Sequence, residues 1–158
     1  MQQEHSGQKT RHHYMMLGVN LAISLLIMYV AMFAMIWSWG EFIQNVNFFY
    51  MALVMWAPMA AVMLLTMKPM YANARLNLLL YALFAIVFVL SFAAIRAQVL
   101  VGDKQFLSSM IPHHSGAILM CGKAPVRDPQ IRALCATIIK GQQAEIDQMD
   151  AMLARAAR

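Results

Sequence analysis

Three long apolar runs, near residues 16–38, 48–67 and 76–96, dominate the first two-thirds of the chain. Each is close to the ~20 residues that a helix needs to cross the hydrocarbon core of a bilayer. Beyond residue 97 the pattern changes. Ile131, Leu134, Cys135, Ile138, Ile139, Gln142, Ile146, Met149 and Leu153 recur at helical spacing along one face. They predict a helix from Asp128-Pro129, where cap and first-turn proline stand in their favoured positions, to about Arg155. Before it, Gly102 offers a break and Asp103 a cap for a helix running to about Cys121, and Gly122 to Arg127, with Pro125, reads as a tight connection. The expected chain is all-α: a polar tail over 1–15, a three-helix transmembrane anchor over 16–97 and a helical hairpin over 98–158.

Charge orients the anchor. Lys9 and Arg11 precede the first span, Glu41 lies in the first loop, and Lys68 and Arg75 occupy the second. Positive loops stay in the cytoplasm, so the amino terminus is expected inside a bacterial inner membrane and the hairpin outside, in the periplasm. Arg96, at the outer end of the third span, opposes this, one residue against two segments. Trp37, Trp39 and Tyr50 sit near span ends, as interfacial aromatics do. The first span is too long for a signal-peptide core and lacks a small-residue cleavage pattern, so it reads as a retained anchor. His5, His12 and His13 in the tail read as part of a hydrated cytoplasmic segment.

Only 12% of the residues are charged and 61% are hydrophobic, against roughly 25% charged in a soluble domain. The net charge of +5 forms no basic stripe, which argues against a nucleic-acid partner. No span carries an acid, lysine or histidine in its interior, as a pump or ion pathway would. Asn20, Ser24, Pro58 and Ser91 are too sparse for a substrate route. Met51, Met55, Met59, Met63 and Met67 do climb the second span at four-residue intervals. Such a ladder could pass Cu(I), but methionine here is more readily an adaptable packing residue.

The chemistry concentrates in Met110-Ile-Pro-His113-His114-Ser-Gly-Ala-Ile-Leu-Met120, followed at once by Cys121. On a helix, at about 100° per residue, Met110, His114, Ala117 and Cys121 share a stripe, with His113 at its edge and Met120 further round. Thioethers suit Cu(I), and imidazole suits copper, zinc, iron and nickel alike, so the mixture points to copper. Pro112 removes a backbone donor near Ser108 and tends to kink a helix, which could splay the two histidines toward one site. The plain alternative is a pair of satisfied or solvent-facing histidines. Cys121 and Cys135 admit three readings: a disulfide clipping the hairpin, two thiolate ligands, or small buried residues.

Together with Phe106-Leu107, Ile138-Ile139 and Gln142-Gln143-Ala144-Glu145-Ile146-Asp147-Gln148-Met149, this motif resembles the domain of unknown function 305 family over about residues 103–154. That resemblance implies a ferritin-like helical fold, and CopM-like members of the family bind copper. Carried over to matching positions, it implies Met110, His113, His114, Met120 and Met149 as metal residues; it does not reach the apolar spans or explain the cysteines. A ferritin-type di-iron centre is not expected, because it needs about four carboxylates and Glu-x-x-His pairs.

In a hairpin turning near residue 125, His114 is expected opposite Cys135 and Met110 opposite Ile139. Met149 then lies about ten residues beyond Ile139, roughly 15 Å at helical rise, and cannot reach His114 in the same hairpin. That register calls for a second site or a second subunit, and a symmetric homodimer forming a four-helix bundle would supply it. The expected function is a membrane-anchored, extracytoplasmic Cu(I)-binding protein for buffering, tolerance or hand-over, a binding module and not an enzyme. One alternative is a metal-independent oligomerisation scaffold, with His113 and His114 meeting a partner's Glu145 or backbone carbonyls. A copper redox enzyme or its accessory is the other.

Overall fold

A computed structural model describes the backbone of residues 2–156 and the side chains of residues 10–156. The side chains of His5 and Lys9 lie outside the described residues. Among the described residues five helices follow one another: α1 (Gln2–Ala31), α2 (Val46–Thr66), α3 (Ala74–Ala97), α4 (Asp103–Lys123) and α5 (Pro129–Ala156). Short 3-10 turns at Trp39–Glu41 and Lys68–Met70 complete the regular structure. The chain divides into two compact units, one of residues 1–31 and 49–98, the other of 32–48 and 99–158.

The first unit holds the three apolar helices. Thr10–Ala31, Val46–Thr66 and Ala74–Ala97 are each long and apolar enough to span a membrane, yet no more than 22% of any such window is buried inside the protein. Leu26, Ile27, Leu78, Leu79 and Leu90 are all over 60% exposed. An apolar surface of that extent is at home only in lipid. The protein is therefore a membrane protein. What the unit buries is narrower: Leu17, Leu21, Ala57, Ala60, Leu64, Tyr71 and Phe84. The two alanines on α2 let neighbouring helices approach closely, as small residues do in membranes. Trp56 packs edge-on against Phe84 and its indole N–H donates to the Leu21 carbonyl at 2.8 Å. Of the methionine ladder on α2, Met59 and Met63 pack against this core, while Met51 and Met55 are more than two-fifths exposed.

Two boundaries differ from the sequence reading. The first helix starts by Gln2, so the expected tail is helical, and it ends at Ala31, seven residues before the end of the apolar run. Residues 32–48 leave the helix because Phe33 gains a better aromatic environment there. Its ring lies 4.2 Å from that of Phe42 and 4.9 Å from that of Phe48, and its side chain is buried. This loop belongs to the second unit, where it packs on the α4–α5 hairpin. The start of α2 is satisfied from the same unit: Asn45 Oδ1 accepts the Phe48 N–H at 2.8 Å and Gln105 Oε1 accepts the Val46 N–H at 2.9 Å.

In the hairpin, α4 and α5 run antiparallel around Ile111, Ile118, Ile146 and Met149, with Ile43, Leu107, Met110, Ile139 and Leu153 packed against them. Asp128 caps α5 as expected, its Oδ1 accepting the N–H groups of Gln130 (2.8 Å) and Ile131 (3.1 Å). At the start of α4 the capping position is Gly102, and Asp103 is instead the first helical residue, where its charge favours the helix N-terminus. The helix continues through Pro112.

Candidate metal site in the helical hairpin

Cys121 and Cys135 are joined by a disulfide, with Cα atoms 5.1 Å apart. This overturns the expected register, in which their heights differed by about 6–10 Å. The connection across 124–128 falls where it was expected to within a residue or two, but α5 slides along α4 so that the partner of His114 moves by ten residues. Glu145, not Cys135, faces His114, and the same register sets Met149 across from Met110, one helical turn away. Both methionines contact the same buried cluster. Met149 thus lies within the hairpin of a single chain, and the distance that called for a second subunit does not exist.

His114 is 8% exposed, and both its ring nitrogens face acceptors. Nδ1 is 2.8 Å from the Met110 carbonyl and Nε2 is 2.8 Å from Glu145 Oε2. The carbonyl can only accept, so Nδ1 carries a proton, and Nε2 is the ring atom turned to Glu145. A carboxylate facing that nitrogen at hydrogen-bonding distance needs a cation between them. A proton fulfils this in the closed pair, and a metal ion could replace it if Glu145, half-exposed on its side chain, swings aside. The neighbouring ring of His113 lies 6.0 Å away, centroid to centroid, and its side chain is exposed.

The five residues implied as ligands therefore divide. His114 and Met149 are buried and Met110 is half-buried, all on the inner side of the hairpin, whereas His113 and Met120 point to its surface, Met120 being 55% exposed. Cys121 and Cys135, as a disulfide, offer no thiolate. Among the described residues no three His, Cys, Asp or Glu side chains gather as a metal-holding group. A metal ion here would draw on His114, the sulfurs of Met110 and Met149, and Glu145 or His113 as a movable partner. That donor set fits a soft, low-coordinate ion such as Cu(I) better than zinc or iron.

Beside this lies a buried polar network. Ser115 on α4 is fully buried; its hydroxyl donates to the Glu41 carboxylate and accepts the Trp37 N–H at 2.5 Å. The same Glu41 oxygen accepts the Ser38 N–H at 2.8 Å. Glu41 is 8% exposed, so its charge is held by these donors alone among the bonds described. The signal was legible: Ser38-x-x-Glu41 is a capping-box pattern, and the structure forms it at the 3-10 turn. On α5, burial, Asp147 and Glu41 raise the Asp150 carboxyl above its ordinary value. Lys123 sits over the Trp37 ring at 5.4 Å, a cation–π contact closing the far end of the loop.

The sequence of the hairpin matches a known family. The model of the family described as Domain of unknown function (DUF305) matches residues 91–153, from the end of α3 through nearly all of α5. Uncharacterized protein L153 of Acanthamoeba polyphaga mimivirus is 37% identical over 118 residues, 73% of this chain and 76% of that protein. The chain belongs to the DUF305 family. The likeness to the viral protein is about twice as long as the hairpin, so it runs into the apolar helices as well. No solved structure matches the chain.

Proposed function

We propose that this DUF305 protein is a membrane-anchored Cu(I)-binding module that buffers copper or hands it on. The observation that carries the reading is the placement of His114, Met110 and Met149 on the inner side of one hairpin. The metal would sit at His114 Nε2 with thioether ligands, and exposed His113 would serve entry or exchange. The lysine and arginine distribution supports a cytoplasmic amino terminus and an extracytoplasmic hairpin, and a disulfide suits such an oxidising side. Imidazole beside thioethers is a donor set that holds a soft ion, so binding and not catalysis is the class proposed. A ferritin-like four-helix bundle would need a second hairpin, and Ile131 and Leu134, both exposed on α5, are where a second copy would pack. The test is Cu(I) stoichiometry and affinity of the purified protein beside a His113→Ala/His114→Ala variant. One equivalent of tight binding lost in the variant supports the reading; equal stoichiometry and affinity in the two proteins, or binding absent from both, overturns it.

One observation favours a second reading. His114 already bridges the Met110 carbonyl and Glu145 of its own chain, as a purely structural clasp would. A scaffold would keep its size in detergent and its fold with or without chelator, and would show no high-affinity copper.

A further inference from the structure

The first unit contains a cavity of about 450 Å3 between α1, the end of α2 and the connection that follows it. Its lining includes His13, Met16, Met63, Met67, Met70 and Tyr71, one imidazole and four thioethers, with the neutral polar side chains of Asn20 and Ser24 beside them. Met63 packs against the core of the unit, while Met16, Met67 and Met70 are 51%, 37% and 38% exposed, so three of the four thioethers are not committed to packing.

The imidazole is oriented from outside the cavity. His13 Nδ1 lies 3.0 Å from the Met70 carbonyl, which can only accept, so Nδ1 carries the proton and Nε2 keeps its lone pair for a ligand. The next residue fixes the backbone that carries it. Tyr14 O–H donates to Asn77 Oδ1 at 2.6 Å, accepts the Asn73 N–H at 3.3 Å, and its ring packs 5.2 Å from that of Tyr71. A single neutral nitrogen beside several thioethers, with no carboxylate among the lining residues, is a poor site for a hard or strongly hydrated cation.

We propose that this cavity is a second metal site, one that takes a soft monovalent cation, Cu(I) or its analogue Ag(I), on His13 Nε2 and the thioethers of Met63, Met67 and Met70. It places a soft-metal store at the end of the anchor where the α2–α3 connection lies, and gives the lower rungs of the α2 methionine ladder a role beyond packing. The proposal stands apart from the hairpin site, and its test keeps the two separate. The full chain in detergent carries His113→Ala/His114→Ala and is titrated with Ag(I) without reductant, so that the disulfide stays closed and offers no thiolate. This background is expected to retain a bound Ag(I). Adding Met67→Leu/Met70→Leu, which conserves apolar volume, or separately His13→Ala, is expected to weaken binding by at least about tenfold. His12→Ala, one position away, is the control and leaves binding unchanged. Circular dichroism and the melting midpoint verify that the leucine variant is folded. A background that binds no Ag(I), or one whose affinity survives both the leucine pair and His13→Ala, overturns the proposal. A wild type and a background that bind alike, with affinity lost on the leucine pair, would sink the hairpin site and uphold this one.

Discussion

His114 Nε2 on α4 lies 2.8 Å from Glu145 Oε2 on α5, in the same hairpin register that sets Met149 and Met110 in one apolar cluster. Because the Glu145 side chain is half-exposed, the pair itself is worth little, under about 1 kcal/mol. Glu145→Gln is therefore expected to leave the thermal midpoint of the hairpin nearly unchanged while leaving copper bound through His114 and the sulfurs. A variant that melts far earlier, by several kcal/mol, would make the clasp rather than the metal the purpose of this histidine.

Ser115 presents the opposite case, a small side chain with a large expected effect. Its hydroxyl is one of two donors described on the buried Glu41 carboxylate and also receives the Trp37 N–H. Ser115→Ala leaves both groups short of a partner in a dry site, at a cost of about 1–3 kcal/mol each. Amide exchange should quicken at Trp37, Ser38 and Glu41 well before it does in α4. Exchange unchanged in that loop would mean that the aromatic trio of Phe33, Phe42 and Phe48 holds it without the network.

The disulfide between Cys121 and Cys135 closes a loop of 14 residues. Constraining a loop of that length in the unfolded chain stabilises the hairpin by about 3 kcal/mol. A Cys121→Ser/Cys135→Ser variant should melt earlier by that amount, and reductant should bring the wild type to the same midpoint without affecting the variant. Equal midpoints for oxidised wild type and variant would show that the bond constrains nothing.

Much of this fold was legible in the apolar pattern. Continuous hydrophobic runs gave the membrane helices, and helical spacing with Asp128-Pro129 gave α5. Two things escaped for physical reasons. The first apolar run does not say where its helix stops, because Phe33 is as apolar in a lipid-facing helix as in an aromatic cluster with Phe42 and Phe48. The hairpin register escaped because the connection fell about where it was expected while α5 slid along α4, and that slide depends on which side chains interlock and not on where the turn lies. His114 was found by its chemistry; Glu145 was expected to meet it only from a partner chain, and the contacts of Ser115 depend on the path of residues 32–48, which the apolar pattern does not give.

Asp150 gives a prediction with a definite sign. Burial first, then Asp147 and Glu41, raise its carboxyl above the ordinary value. A carboxyl raised in the folded state binds its proton more tightly there than in the unfolded chain, so stability falls as pH rises from the ordinary carboxylate range through the raised value. At neutral pH the ionised group opposes the fold, and Asp150→Asn should raise the melting midpoint slightly. The gain should vanish below the ordinary carboxylate range, where both proteins are neutral at this position. A difference that persists there would assign the effect to packing, not charge.

The last prediction separates the residues that the family pattern groups together. Met149 is buried among Ile111, Ile118 and Ile146, whereas Met120 is 55% exposed at the surface of α4. Leucine conserves the volume of methionine, so Met149→Leu should cost less than about 1.5 kcal/mol in stability. It removes a sulfur from the inner side of the hairpin, however, and Cu(I) affinity should fall by at least about tenfold. Met120→Leu should change neither stability nor affinity, since that side chain is turned away from His114 and Met149. Chelator competition on the two variants in parallel decides the matter. If Met120→Leu is the one that loses copper, the metal sits on the outer face with His113, and the inner arrangement of His114, Met110 and Met149 is packing.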